Sequence, residues 1–340
     1  MRVLKLIFLF IFAFQSNAQI SDFDYIDFQK ADSIALVCKN EKLNNLPELA
    51  YKLTSTLTTD VERFRSIYMW VCGNIANDYV MYSKNMRKRQ RFKKDSVKLN
   101  EWNNHFRKVV FKKMLDDNKT ICTGYAYLVK ELSKLANIDC EIVDGYAKLS
   151  TTNIEKLDIP NHSWNAVKLN GKWYLCDPTW ASGIPNEATL QFKFQYNDGF
   201  FLTDPNLFAI NHFPEDEKWL LINNVDHSFE TFIEAPIIYG KAYANYSIPN
   251  EPKKMHNTVE KNESVVFKYQ LLKPIESKDI SLLIDNGKNS RKIQPNKTSI
   301  KGKSLTVEYK FERNGFYDVH LLIGSDLITT YTFKVKSSIP

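Results

Sequence analysis

The sequence lacks the motifs by which most proteins bind zinc, calcium or nucleotide phosphates. Its five cysteines include no CxxC pair, and there is no HExxH motif, no glycine-rich phosphate loop and no loop of alternating acids. Internal repeats and low-complexity segments are also missing. These absences exclude the common zinc, EF-hand and P-loop classes, so the sequence predicts neither a cofactor nor a bound metal.

Beyond its first residues, the sequence also lacks an apolar run long enough to cross a membrane. At the start, Arg2 and Lys5 precede an apolar stretch that runs unbroken over residues 6–14, and small residues follow at 16–18. This order predicts a signal peptide over residues 1–18 and a periplasmic or extracellular protein beginning at Gln19. A buried N-terminal helix or a membrane anchor is the alternative.

Charge of one sign is in only mild excess. The chain has 46 Lys and Arg against 39 Asp and Glu, a formal charge of +7, which does not indicate a nucleic-acid partner. The densest basic run, KNMRKRQRFKK, begins at Lys84 and ends at Lys94. A solvated loop is the expected structure of this run, and contact with an anionic surface is its alternative role.

The pattern of apolar residues predicts an α+β domain followed by an all-β domain. A helical lead-in is expected over residues 19–60, including an amphipathic helix at 33–39, and helix and strand signals alternate from 61 to 233. Residues 234–340 contain short alternating runs bounded by turn signals such as Asn286-Gly287 and Asn314-Gly315. The runs, at 265–271, 280–284, 305–311, 317–323 and 328–335, predict an immunoglobulin-like sandwich with a structural or adhesive role.

Cys122 opens the third of three helices expected in the middle region; the first two are expected at 61–75 and 106–115. A helix start favours thiolate, and backbone N–H groups near Gly124 could donate to an oxyanion. The alternative is a buried structural cysteine, the commoner fate of this residue. An odd number of cysteines leaves at least one thiol unpaired or paired to another chain, and a catalytic thiol would be a natural odd member.

A tight hairpin brings a histidine and an aspartate to one face. Asn170-Gly171 is a strong two-residue turn signal, and its register sets Trp164 opposite Asp177. His162 is then a diagonal neighbour of Asp177, within side-chain reach, whereas Cys176 falls on the opposite face. An ordinary strand histidine and a turn-forming aspartate before proline are the alternatives, but cysteine, histidine and aspartate together suit nucleophilic thiol catalysis.

At these residues the sequence resembles the transglutaminase-like domain, over about residues 61–183. The pattern CTGYA begins at Cys122, HSWN begins at His162, and WYLCDPTW runs from Trp173 to Trp180. An upstream segment, RSIYMWVCGNIANDY, is also similar, although Asn77 replaces the tyrosine usual there. The later stretch FLTDPNLFAINHFPEDEKWLL resembles the one that follows the core in kyphoscoliosis-peptidase-like members.

The resemblance implies a papain-like core in which a helix-start cysteine packs on an antiparallel sheet, with Cys122, His162 and Asp177 as catalytic triad. It implies an enzyme that transfers acyl groups of peptide or amide bonds through a thioester, and the predicted signal peptide makes that enzyme an exported one. We expect a protein or peptide substrate, such as cell-wall peptide, and favour hydrolysis over transamidation. The alternatives are a non-catalytic binding module and a cell-surface structural protein. Trp164 and Trp180 are candidate substrate contacts.

Outside the triad, His212 stands beside acidic residues but lacks a second obvious metal ligand. We therefore expect a structural role for His212 rather than a metal site.

Overall fold

The computed structural model describes residues 19–337 except 187, 188, 190, 223–226 and 246, so the predicted signal peptide lies outside the described residues. The helices are α1 (Gln29–Val37), α2 (Leu46–Thr54), α3 (Asp60–Asn74), α4 (Tyr79–Phe92), α5 (Ser96–Asp117), α6 (Cys122–Leu135), α7 (Pro178–Ser182), α8 (Pro205–Asn211), α9 (Phe229–Glu234) and α10 (Gly240–Asn245). Over the described ranges, none of the helices has the length and hydrophobicity that crossing a membrane requires.

The strands of the first part of the chain are β1 (Ala76–Asn77), β2 (Lys119–Thr120), β3 (Cys140–Ala147), β4 (His162–Leu169), β5 (Lys172–Cys176), β6 (Gly183–Asn186), β7 (Gln191–Phe194) and β8 (His212–Pro214). Those that follow are β9 (Ile237–Ile238), β10 (Ser247–Glu251), β11 (His256–Glu260), β12 (Ser264–Leu271), β13 (Ile280–Asp285), β14 (Ser290–Ile293), β15 (Lys297–Lys301), β16 (Ser304–Lys310), β17 (Gly315–Ile323) and β18 (Asp326–Lys336).

Helix α3 lies in the main core, as its apolar spacing predicts. It begins in a capping box, in which Thr59 accepts from the Glu62 N–H and Glu62 accepts from the Thr59 N–H. Its bounds lie within one residue of the predicted 61–75. Arg65 of this helix is buried. It donates to both oxygens of Asp32 on α1 at 2.7 and 3.1 Å and stacks over Phe201. This ion pair attaches the helical lead-in to the core.

A four-stranded antiparallel sheet, ordered β5-β4-β3-β8, supports the hairpin predicted from sequence. Asn170 and Gly171 have φ of 49° and 80°, the left-handed values that a type I′ turn requires. The register is confirmed, since Val167 pairs with Tyr174. Helix α6 packs on this sheet, and Asn165 of β4 donates to the Ala126 carbonyl of α6 at 2.9 Å.

The expectation of a solvated loop from Lys84 to Lys94 is wrong, because residues 84–92 of this run are helical and only Lys93 and Lys94 form a turn. Asp78 caps α4 by accepting from the Met81 N–H at 2.8 Å, and Lys, Arg, Gln and Met are good helix formers. Met81 packs in one buried cluster with Phe106 and Val110 of α5. The many charges around that narrow apolar strip obscure it in the sequence. We call residues 79–117 the α4–α5 hairpin.

From β10 onward the C-terminal region is a β-sandwich, which confirms the prediction of an α+β core followed by an all-β domain. One sheet has the order β10-β12-β16-β15 and the other contains β11-β18-β17-β13-β14, with β9 also paired to β18. The five predicted strands lie within two residues of β12, β13, β16, β17 and β18. The sequence pattern missed β10, β11, β14 and β15, all four of which lie at a sheet edge, where alternation of apolar residues is weak.

Candidate active site

Cys122 is the first residue of α6, directly after the N-cap Ile121. It is 6% exposed and lines a cavity of about 200 Å³ together with His162. The Gly124 N–H is used within the helix, where it donates to the Ile121 carbonyl at 2.8 Å. By contrast, the N–H groups of Cys122 and Thr123 have no acceptor among the described residues. These two groups, at the positive end of the helix, are therefore the ones available to an oxyanion.

Glycine at position 124 is required by the close approach of β2. A Cβ at Gly124 would lie 1.8 Å from Oγ1 of Thr120, and the Thr120 side chain is fully buried. The small residue thus lets the first turn of α6 sit against the strand that leads into it. In this way Gly124 fixes the position of Cys122.

His162 and Asp177 form the hydrogen bond that the hairpin register predicts. Nε2 of His162 lies 2.7 Å from Oδ2 of Asp177, and both side chains are buried. Because Nε2 is occupied, Nδ1 is the ring nitrogen left for Cys122, which lines the same cavity. Burial lowers the pKa of His162, but the charge of Asp177, the hydrogen bond to Asp177 and the nearby Cys122 outweigh it and raise the pKa to about 10.

The Asp177 carboxylate is held by four donors. Its Oδ1 caps α7, accepting from the N–H groups of Thr179 at 2.9 Å and Trp180 at 3.1 Å, while Oδ2 accepts from His162 and His212. Burial opposes ionisation, but the charge of His162 and the hydrogen bonds from both histidines hold the pKa of Asp177 well below its usual range. The residue is therefore both a helix cap and the orienting carboxylate.

His212, whose expected role was structural, lies within the site. Its Nε2 is 3.1 Å from Oδ2 of Asp177, its Nδ1 is 3.2 Å from the Phe208 carbonyl oxygen, and its ring stacks on Phe208 with centroids 3.9 Å apart. Burial lowers the pKa of His212, against the opposing effect of Asp177. Strand β8 places it there by pairing with β3, a long-range contact that no local pattern signals.

His162, Asp177 and His212 also present one ligand atom each within 4.8 Å of one another. Two imidazoles and a carboxylate suit zinc chemically. However, the same three atoms already satisfy one another as hydrogen-bond partners, at 2.7 and 3.1 Å. The three side chains therefore form a hydrogen-bonded His–Asp–His cluster.

The two tryptophans expected near the triad differ in position. Trp164 is 1% exposed and packs with Val143, Leu175 and Phe208, and neither tryptophan is among the residues that line the cavity. Trp180 is half-buried and stacks on the His162 ring with centroids 5.3 Å apart. A substrate contact stays a prediction for Trp180, whereas the position of Trp164 supports packing.

All five cysteines are described, and each is a free thiol. Burial raises the pKa of Cys140 to about 12 and that of Cys72 and Cys176 well above the usual thiol value. Cys176 lies with the core residues on the other face of the hairpin, where its thiol contacts the Asn165 carbonyl. Cys122 is therefore the thiol that shares the cavity with the imidazole.

Comparison with known proteins identifies a matching family model and several relatives of this chain. Residues 47–178 match the family model of the transglutaminase-like superfamily. Human kyphoscoliosis peptidase is 32% identical over 231 residues, which cover 64% of this chain and 32% of that protein. The mouse protein of the same name is 34% identical over 199 residues, which cover 57% of this chain and 27% of that protein. Drosophila melanogaster Hillarin is 26% identical over 58% of this chain and 23% of its length. The chain thus spans about a third or less of these relatives.

Among solved structures, the Lin-41 filamin domain aligns with 26% of this chain and 91% of its own, at 12% identity and a TM-score of 0.22.

Proposed function

Because residues 47–178 match the family model of the transglutaminase-like superfamily, we propose that the protein is an exported cysteine-dependent acyl-transfer enzyme that cleaves peptide or amide bonds. One observation carries this proposal: the Cys122 thiol at a helix start shares a cavity with His162, and the buried Asp177 holds His162 at 2.7 Å. A binding module needs no such combination of nucleophile, base and orienting carboxylate.

In the acylation step, the Cys122 sulfur attacks the carbonyl carbon of the substrate. In this step the proton of the thiol passes to Nδ1 of His162, and Asp177 stabilises the resulting imidazolium. The carbonyl oxygen becomes an oxyanion near the N–H groups of Cys122 and Thr123. When the C–N bond breaks, His162 gives its proton to the leaving amine, and a thioester remains on Cys122.

Deacylation is proposed to be hydrolysis. Water loses a proton to His162 and attacks the thioester, which releases the carboxylic acid and returns the proton to the Cys122–His162 pair. Two of the matched relatives bear the name peptidase, which supports water as the acceptor. Water is also far more abundant outside the cell than a free amine. Transamidation, in which a lysine amine attacks the thioester, is the second candidate reaction.

The proposal is tested by incubating the protein with a glutamine-containing protein and a fluorescent primary amine. Cleavage, release of ammonia and amine incorporation are measured separately. We expect cleavage or deamidation that Cys122→Ala abolishes and that Cys38→Ala, a matched change at another buried cysteine, retains. Efficient incorporation without cleavage would favour transamidation. Absence of all three products, or equal activity in Cys122→Ala, would favour the non-catalytic or cell-surface role instead.

Export is proposed from the N-terminal sequence. Basic, apolar and small-residue parts occur in the order of a signal peptide. Expression of the full sequence in a bacterial host, followed by fractionation and N-terminal sequencing, tests it. A mature chain beginning at Gln19 outside the cytoplasm is the expected result, and a cytoplasmic chain that retains residue 1 would contradict it.

A further inference from the structure

The positive charge of the protein is concentrated in the α4–α5 hairpin. Residues 79–117 contain 12 Lys and Arg against 4 Asp and Glu, a net charge of +8. The other 301 residues contain 34 Lys and Arg against 35 Asp and Glu, a net charge of −1. The excess that the whole chain shows is therefore a property of one supersecondary unit.

This hairpin forms one wall of the cavity that contains Cys122 and His162. Arg89 of α4 and Arg107 of α5 both line it, and Arg89 also donates to the Pro160 carbonyl at 2.8 Å, two residues before His162. A charged wall beside a partly enclosed site raises the local concentration of ligands of opposite charge. Two cations of the basic unit, Arg89 and Arg107, thus lie where a substrate approaches the nucleophile.

Much of this charge has no carboxylate partner. Lys93, Lys98, Lys112 and Lys113 pair with acids. Within the described part of the chain, no ion pair involves Lys84, Arg87, Lys88, Arg91, Lys94 or Arg107. Arg87, Arg91 and Lys94 are also exposed. Unpaired cations at this density repel one another, and an anionic ligand would relieve that repulsion.

We propose that the α4–α5 hairpin is a docking wall for an acidic polypeptide segment that flanks the scissile bond. This inference rests on the proposed acyl-transfer function and names the substrate class of the same site. Aspartate and glutamate side chains of the substrate pair with the exposed cations of α4, and Arg89 and Arg107 receive the carboxylates nearest the reacting carbonyl. Arginine suits this task because its planar guanidinium binds carboxylate in a bidentate manner.

The opposite side of the cavity limits how such a segment can lie. Asp144, which accepts from the Ser163 hydroxyl at 2.6 Å, and Glu215 line the cavity on the sheet side. Their negative charge repels substrate carboxylates, so the acidic residues must face the hairpin while the scissile bond faces Cys122. The two walls therefore orient the chain as well as attract it.

Equilibrium binding to the Cys122→Ala protein tests the proposal without any need for turnover. The probes are fluorescein-labelled twelve-residue peptides of alternating Glu and Gln or alternating Lys and Gln, and a twelve-nucleotide oligouridylate. Anisotropy is measured at low and high salt. The triple variant Arg87→Gln/Arg91→Gln/Lys94→Gln is compared with Lys288→Gln/Lys301→Gln/Lys303→Gln, which removes the same charge from exposed positions of the β-sandwich.

We expect the Glu-Gln peptide to bind at least about tenfold more tightly than the Lys-Gln peptide at low salt, with the difference lost at high salt. The hairpin variant should weaken that binding on the order of tenfold, and the sandwich variant should not. In the active protein, the hairpin variant should raise KM for an acidic substrate and leave kcat unchanged.

Equal binding of the two peptides, or equal losses in the two triple variants, would overturn the docking wall. So would oligouridylate binding that the hairpin variant abolishes while the Glu-Gln peptide fails to bind. Because the test uses an inactive protein, these outcomes leave the proposed acyl-transfer function intact. Conversely, loss of the proposed catalysis would not alter the binding result.

Discussion

Replacement of Asp177 by asparagine should inactivate the site without unfolding it. The four groups that contact this carboxylate are all donors: the backbone N–H groups of Thr179 and Trp180 and the Nε2 atoms of His162 and His212. Asparagine can keep its oxygen on the two backbone donors, because it caps helices as well as aspartate does. Its amide nitrogen then faces the two histidines. His162 must accept at Nε2 and carry its proton on Nδ1, which is the wrong tautomer for receiving a proton from Cys122.

The magnitude follows from the pKa of His162. Burial alone lowers this pKa, and Asp177 is the largest contributor that raises it to about 10 from a usual 6.5. That difference corresponds to about 5 kcal/mol in favour of the imidazolium. If Asp177→Asn loses this stabilisation of the imidazolium, the rate at neutral pH should fall by about 10³ to 10⁴. A similar loss is seen when the carboxylate of a catalytic triad is made neutral in other enzymes.

The pH dependence gives the sign of the effect. Since the folded-state pKa of His162 lies above the unfolded value, the stability that the ion pair contributes is fully present below about pH 6.5 and is lost as the pH rises through about 10, where the pair itself dissociates. Wild-type protein should therefore stay active to about pH 10. In Asp177→Asn no negative charge opposes the effect of burial, so the pKa of His162 should fall below 6.5. The imidazolium should then already be lost, as the pH rises, before pH 6.5 is reached.

The assay combines alkylation of Cys122 by iodoacetamide, read by mass spectrometry from pH 5 to 10, with turnover and thermal unfolding. The matched control is Asp204→Asn, since Asp204 also precedes a proline and caps a helix, accepting from the Asn206 and Leu207 N–H groups at 2.8 and 3.3 Å. Asp177→Asn that alkylates and turns over within tenfold of wild type at pH 7 would refute the reasoning, as would an equal loss in Asp204→Asn.

Three further predictions concern residues around the site. His212→Phe removes one hydrogen-bond donor from Asp177, so the pKa of His162 should rise further and kcat should fall about tenfold. His212→Gln should restore part of the lost activity, and an unchanged pH–rate profile in His212→Phe would contradict this prediction. Gly124→Ala should lower the free energy of unfolding by about 1–3 kcal/mol through its clash with Thr120, and a double-mutant cycle with Thr120→Ala should show positive coupling in urea denaturation, whereas additive losses would exclude the clash. Lys148, 1% exposed, donates to the carbonyls of Phe232 and Ala235 at 2.7 and 2.6 Å, and burial lowers its pKa to about 7. Because the unfolded chain keeps this proton to about pH 10.5, wild-type stability should rise relative to Lys148→Met between pH 7 and 10 in urea denaturation, and a constant difference would contradict it.

Local sequence patterns were sufficient to predict the hairpin and the first turn of α6. Asn170-Gly171 fixes its own turn, and each later pair of residues follows from the alternation of a strand, so the contact between His162 and Asp177 could be predicted without knowledge of the rest of the fold. Likewise the apolar spacing after Cys122 marks a helix that begins at that residue.

Long-range packing supplied what the sequence pattern missed. His212 reaches Asp177 because β8 pairs with β3, across more than sixty residues of chain, and no local spacing encodes that pairing. The helix α4 was mistaken for a loop because its buried side is narrow, with Met81 as its one fully buried residue. Its partner α5 completes the cluster that makes the helix stable, and that partner is likewise a tertiary contact.

The claim that Cys122 is the nucleophile is tested most directly by trapping the acyl-enzyme. The protein is mixed with a glutamine-containing acidic peptide, quenched in acid within milliseconds to seconds, digested and mapped by mass spectrometry. We predict a hydroxylamine-sensitive thioester on Cys122, absent from Cys122→Ala and strongly reduced in Asp177→Asn. Turnover that persists in Cys122→Ala, or an acyl group found on Cys38, Cys72, Cys140 or Cys176 instead, would contradict the account.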